Sequence, residues 1–283
     1  MQIADTVGAV RELLEQSPRP VGLVPTMGAL HAGHLSLVEA ARSGNATLAV
    51  SIFVNPLQFG PGEDFERYPR ALDDDLALLR QAGVDIVFTP RAAEFTPPHR
   101  LTTVSVAELT TRLEGTSRPG HFDGVTTIVA KLLHAVGPDR AYFGEKDFQQ
   151  LAVIRRMVAD LDMPVTVVGC PIVREPDGLA MSSRNAYLSA ADRRAALALS
   201  GALQAVAAAW DGDADAARSA LRRRLLTASG VRLDYAEVID PETLEPLEGV
   251  VGGPAQAVVA AFVGATRLID NVRLEPAGSS PAA

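Results

Sequence analysis

Short apolar runs that alternate with helically periodic segments constrain this chain more than any other feature, because a strand without charges has to be covered on both faces. Val21–Pro25 is such a run, bounded by proline, and Ala46–Val54 is a longer one. Between them His34–Arg42 places Leu35, Leu37, Val38 and Ala41 where a helix packed on a sheet needs them, which makes a βαβ unit. The pattern continues with a predicted helix over 70–81, a strand over 84–89, a helix over 125–135, a strand over 140–143, a helix over 148–161 and a strand over 164–170. Alternation of this kind predicts an α/β fold with a doubly wound, mostly parallel sheet.

Beyond about Ile172 the texture changes. Two predicted helices, 190–210 and 213–228, precede three strand-like stretches at 233–239, 257–263 and 267–272, the order expected of a smaller α+β domain. Residues 1–172 and 173–283 are therefore expected to form two domains, a division that a chain of 283 residues favours on size alone. The small residues of 276–283 read as a mobile tail.

With 26 basic against 34 acidic side chains the formal charge is −8, so neither nucleic acid nor a membrane surface is an expected partner. Any polyanionic ligand has to be held by local positive groups. A single cysteine, Cys170, excludes an intramolecular disulfide, and no stretch has the length of a membrane span or the uninterrupted apolar run of a secretion signal; a cytoplasmic setting is the expectation. Only Lys131 and Lys146 are lysine, in a chain otherwise rich in arginine, which draws attention to both.

Three constellations carry chemistry. The first, Met27-Gly28-Ala29-Leu30-His31-Ala32-Gly33-His34, lies where a strand turns into a helix. Its glycines permit close approach of backbone to a ligand, the helix start offers amides and a positive dipole end to phosphate, and His31 and His34 could donate to phosphoryl oxygens. The bland alternative is that one histidine caps the helix and the other packs. The second is the loop Gly178–Asn185, in which Met181, Ser182 and Ser183 precede Arg184, whose guanidinium can fork onto phosphate or simply remain solvated. In the third, Gly144-Glu145-Lys146-Asp147 follows a predicted strand where open α/β sheets bind ligands, and Gln150, one turn on, points the same way as Lys146. Acidic residues at a helix start favour its dipole in any case, so this segment too has an ordinary reading.

A His-x-Gly-His tetrad paired with a distant Met-Ser-Ser-Arg loop resembles the nucleotide signatures of adenylate-forming enzymes related to class I aminoacyl-tRNA synthetases. Together with Asn55-Pro56-Leu57-Gln58-Phe59-Gly60 and Arg118-Pro119-Gly120-His121-Phe122, the motifs stand in the order and spacing of the pantothenate synthetase family, over nearly the whole chain. The resemblance implies a Rossmann-like ATP- and pantoate-binding domain, a smaller C-terminal lid domain and a homodimer. It implies an ATP-dependent ligase that makes pantoyl adenylate and pyrophosphate, then pantothenate and AMP on attack by β-alanine. By position, Met27–His34 and Gly144–Asp147 would line the ATP site with Val173 and Met181–Arg184. Gln58 and Gln150 would hold pantoate, and His34 would be the proton donor with His31 beside it. Lys146 and Arg184 complete the expected catalytic set.

Asp73, Asp74 and Asp75 open the predicted helix over 70–81. Asp74 and Asp75 are candidates to help organise Mg²⁺ through oxygen ligands or bound water, against the alternative that all three favour the helix dipole. Leu78 stands where some members of the family carry a polar residue, so no substrate contact is expected from it. His121 is a further candidate to face the site, whereas His99 and His134 read as surface and core. Two other functions use the same motifs: a nucleotidyltransferase that needs no amine acceptor, and a non-catalytic nucleotide-binding relative.

Overall fold

The computed structural model of the protein describes residues 1–275; the tail over 276–283 lies outside the described residues. The chain groups into two compact units, one made of Met1–Glu145 and Gln149–Ile172, the other of Lys146–Phe148 and the chain from Val173 onward.

The first unit contains strands β1 (Gln2–Ala4), β2 (Val21–Thr26), β3 (Thr47–Ile52), β4 (Ile86–Phe88), β5 (Arg140–Gly144) and β6 (Thr166–Cys170). They form one sheet in the order β1-β4-β3-β2-β5-β6, and every pair is parallel. Side chains alternate across it as the two-residue period demands. Val21 and Leu23 enter one apolar cluster and Val24 the other, just as Ile86 and Phe88 are divided from Val87.

Helices α1 (Val7–Glu15), α6 (His121–Val136) and α7 (Phe148–Asp160) contribute to the first of these clusters; α2 (Ala32–Gly44) and α3 (Leu72–Gln81) contribute to the second. Two single-turn helices, α4 (Ala92–Phe95) and α5 (Glu114–Ser117), lie between β4 and α6. The sheet is thus covered on both faces, as its uncharged strands require.

From β2 the chain steps outward to β3 and β4 on one side, then returns to β5 and β6 on the other. The order therefore reverses between β2 and β5, and the crevice beyond the carboxyl ends of those two strands is where such sheets bind ligands. The motif strand Val21–Thr26 is the second in the chain, because β1 and α1 precede it. Thr6 caps α1 by accepting from the Ala9 amide at 3.1 Å. Helix α6 starts at His121, four residues before the periodicity predicts, since Gly120 takes the left-handed conformation that lets the helix begin there.

In the second unit, β7 (Val231–Ile239), β8 (Ala255–Val263) and β9 (Thr266–Leu274) form an antiparallel sheet packed with α8 (Ala190–Ala208) and α9 (Ala214–Leu226). Ser189 and Asp213 cap the two helices by accepting from Asp192 and Ala216 amides. Among the described residues, no helix is long and apolar enough to cross a membrane.

Candidate active site

The histidine loop leaves the carboxyl end of β2 and is held by side chains that converge on its backbone. Thr26 Oγ1 donates to the Ser51 carbonyl at 2.8 Å and accepts from the Gly28 amide at 3.2 Å. Gly28 and Ala29 both adopt positive φ, 81° and 50°, which turns consecutive amides inward. A side chain at position 28 would place its Cβ 2.9 Å from Asp75 Oδ2 and 3.1 Å from Ile52, so glycine is required on space as well as on conformation. The object that fills this space is the Asp75 carboxylate, which accepts from Ala29 at 2.9 Å and from Leu30 at 2.7 Å.

Asp75 is only 2% exposed. Burial raises its pKa above the ordinary carboxylate range against the opposing effect of the Leu30 and Ala29 amides. The two acids expected to help organise Mg²⁺ therefore differ: Asp74 is exposed, whereas Asp75 directs both oxygens at the loop. The expectation that loop amides wait for phosphate also needs amending. Gly28, Ala29, Leu30 and His31 donate to protein acceptors, so the amides at the start of α2 that no intrahelical carbonyl reaches are those of Ala32 and Gly33.

His31 occupies the N-cap of α2 and His34 its third position. The imidazoles stack with centroids 4.0 Å apart, tilted by 32°. His34 Nδ1 accepts from the His31 amide at 3.4 Å, an arrangement that puts the ring proton of neutral His34 on Nε2. One histidine thus completes the helix start and still presents an N–H donor on its far side. The capping and the chemical readings of this pair are not alternatives.

Beyond β3, the Pro56–Gln58 turn begins at Asn55, whose side-chain oxygen accepts from the Leu57 amide at 3.1 Å. Asn55 is 1% exposed, and its Nδ2 donates to Gln58 Oε1 at 2.9 Å and to the Gly124 carbonyl at 3.0 Å. Gln58 Nε2 in turn lies 3.3 Å from Met27 Sδ, which brings the glutamine expected for pantoate to the first residue of the histidine loop. Gln150 is half-buried on α7 beside Gln149. The latter is buried and holds the segment before α6, donating to Leu109 at 2.7 Å and Arg112 at 2.8 Å while accepting from Glu114 at 3.0 Å.

His121 lies at the start of α6. Its Nδ1 is 2.8 Å from the Gln58 carbonyl and its Nε2 is 3.1 Å from Nη1 of Arg118, which donates to Glu63 through Nε and Nη2. Burial, then the charge of Arg118, depress the His121 pKa to about 4. The neutral ring accepts from Arg118 at Nε2 and donates to Gln58 O from Nδ1.

Gly144 ends β5 across the switch point from β2, and Glu145 opens the single turn that follows. The following Lys146 belongs to the second unit, where its carbonyl accepts from Asn271 Nδ2 at 2.9 Å and its Nζ is 3.7 Å from Asp147. Also in the second unit, Met181 donates its amide to Val173 at 3.0 Å, which joins two residues expected at the ATP site. Ser182 caps the turn Ser183–Tyr187 that carries Arg184, accepting from the Arg184 amide at 3.3 Å. Glu63 and the tethering role of Asp75 escape sequence reasoning, while Asn55 and Arg118 stand in quoted motifs that assign them no role; for Asn55 the Asn-Pro pair, a turn signal, hints at one.

A parallel sheet with paired imidazoles beside its switch point is the frame of a nucleotidyl-transfer type of enzyme. The chain belongs to the pantoate–β-alanine ligase family, whose model matches residues 2–273, and its function is the joining of pantoate to β-alanine. It is 56% identical to the pantothenate synthetase of Acidobacterium capsulatum, over 99% of this chain and 97% of that one. The crystal structure of pantothenate synthetase from Thermus thermophilus superposes with a TM-score of 0.92 at 51% identity, covering 98% of this chain and all of that one. A pantoate–β-alanine ligase from Francisella tularensis, solved with β,γ-ATP and β-alanine, matches with a TM-score of 0.80 at 34% identity over 99% of this chain and all of that one.

Proposed function

We propose that this ligase works in two steps at the carboxyl ends of β2 and β5. The carboxylate of pantoate attacks the α-phosphorus of ATP, the bond to the bridging oxygen breaks, and pyrophosphate departs. The amine of β-alanine then attacks the acyl carbon, loses a proton and expels AMP. The observation that carries this reading is the contact between Gln58 and Met27, which sets a neutral amide suited to hydroxyls and a carboxylate at the mouth of the paired-histidine loop.

His34, with its proton on Nε2, and His31 beside it donate to the phosphoryl oxygens on which charge accumulates. The amides of Ala32 and Gly33 and the dipole of α2 act on the same charge. Gly144, Glu145, Lys146, Asp147, Val173 and Met181–Arg184 belong to the ATP site in this reading, with Gln150 sharing pantoate. The support for these assignments is their place in the family's motifs. A Mg²⁺ ion bound with the nucleotide would supply neutralisation of phosphate charge, a role that asks few ligands of the protein. Of the two acids, exposed Asp74 is the better placed and would accept from a water on such an ion, since Asp75 is taken up by the loop amides. The lid role of the domain after residue 172, the homodimer and the cytoplasmic setting belong to the same reading.

Positional isotope exchange tests it. Scrambling of label within ATP should require pantoate and proceed without β-alanine. Exchange seen only with all three substrates, or release of ADP with an acyl phosphate, rules the adenylate out.

A further inference from the structure

The Arg118-Pro119-Gly120-His121-Phe122 motif has no part in the chemistry described so far, yet its two polar side chains both point at one peptide. Arg118 Nη2 lies 3.3 Å and His121 Nδ1 2.8 Å from the Gln58 carbonyl oxygen. That oxygen has two lone pairs, and this pair of donors matches them. Arg118 is oriented by Glu63, at 2.8 and 2.6 Å. Burial pushes the Glu63 carboxyl up, but the guanidinium outweighs it and holds the group ionised below its ordinary range.

A second element approaches the same peptide from the helix side. Gly124, in the first turns of α6, leaves no room for a side chain: a Cβ there would collide with the Leu57 carbonyl and stand 2.6 Å from the Gln58 amide nitrogen. The side chain of Gln58 is meanwhile fixed by Asn55, itself anchored on the Gly124 carbonyl. The main chain and side chain of one glutamine are therefore both referred to the start of α6, by hydrogen bonds and by close contact.

We propose that Glu63, Arg118 and His121, backed by Gly124, are positioning residues for Gln58 and so govern how tightly pantoate is held. The link to pantoate rests on the reading of Gln58 given above; the positioning itself does not. None of the three side chains needs to touch substrate. Their effect is to remove the freedom of a turn that would otherwise have to be ordered on binding.

The test reads the Gln58 side-chain amide by NMR in isotope-labelled protein, assigned by its disappearance in Gln58→Ala, together with KM for pantoate. In His121→Leu the Gln58 amide pair should shift and broaden while the rest of the spectrum stays folded. His121→Asn, which can still donate to the carbonyl, should return it towards the wild-type position. KM for pantoate should rise on the order of tenfold in His121→Leu, with KM for ATP little changed. In a Gln58→Ala background the His121→Leu change should add nothing to the pantoate effect. An unmoved Gln58 amide in His121→Leu overturns the positioning role, and so does a full additive effect in the double variant. If Gln58→Ala leaves pantoate KM unchanged while the amide does respond to His121→Leu, the pantoate reading of Gln58 falls and the positioning stands.

Discussion

Two loops that both bear family motifs are held by opposite means. The β2–α2 loop is fastened from inside: a buried carboxylate and a buried hydroxyl from neighbouring elements take three of its amides. Arg174 of the second unit is anchored on buried Asp270 at 2.7 and 3.0 Å, but the Glu175–Asn185 segment that follows is fastened nearer the surface. Arg193 spans Glu175 and Asp177, the latter at 2.8 Å, and Asn185 donates to Glu175 at 2.8 Å, all through side chains that are only partly buried. The difference teaches where each loop's order originates. Buried acceptors with no competing water fix one conformation and are costly to remove, whereas exposed ion pairs are screened and weak. The first loop is thus held by buried acceptors, the second mainly by partly buried ion pairs beyond its anchored start.

The largest effect that can break this comparison is kinetic. If the first loop presents a preformed donor, His34→Ala should slow single-turnover adenylation by roughly two to four orders of magnitude with the fold retained by circular dichroism. A loss of less than about tenfold would mean that the loop's rigidity serves something other than transition-state charge.

Acid separates the two regions next. His121 titrates near 4 in the folded protein and near 6.5 when unfolded. Above pH 6.5 both states are neutral there. As the pH falls below 6.5 the unfolded chain takes up a proton that the folded chain refuses, so stability drops by about 3 kcal/mol by pH 4 and then levels from this group. The Glu175 carboxyl acts in the same sense but at lower pH: the Arg193 hydrogen bond lowers its pKa, so its contribution is intact above the ordinary carboxylate range and is lost only as the pH falls through that range. Denaturant titrations from pH 7 to pH 4 should show the first unit weakening first, and His121→Leu should flatten that slope.

A smaller effect sharpens the contrast directly. Asp75→Ala removes the acceptor of two amides and should cost about 2 kcal/mol, part of the loss being returned by relieving a buried charge. It should also lower adenylation without altering pantoate KM. Arg193→Ala should change the unfolding midpoint far less than Asp75→Ala does, and that small change should vanish in high salt. Equal midpoint changes would erase the distinction between the loops.

These differences were only partly legible in the sequence. Long periodic segments disclosed nearly every strand and helix of the sheet, because periodicity reports which face is covered. The three-residue β1 carried no such signal and is a strand only because β4 lies alongside. The histidine loop, Gln58 and Arg184 could be picked out because motif order points to them. The Asp73–Asp75 run could not be resolved. Whether an acid at a helix start faces solvent or a loop 46 residues earlier depends on a rotation that local sequence does not encode, and burial settles it as solvent for Asp74 and loop for Asp75. The same holds for the pairing of Glu63 with Arg118: motif order marks Arg118, but nothing local tells that the fold brings it to an acid 55 residues away.

The bare position at Gly124 also bears on engineering. Replacing helix glycines by alanine is a common route to thermostability, and Gly201 in α8 is open to it: it is exposed, with nothing within 4 Å of where the new methyl would sit, so Gly201→Ala should raise stability by about 0.5–1 kcal/mol in thermal unfolding. Gly124 satisfies the same propensity rule and fails on space, since its methyl would enter the peptide that carries Gln58. A stabilisation campaign guided by propensity alone would treat the two glycines alike, and at Gly124 it would trade affinity for heat resistance that never materialises.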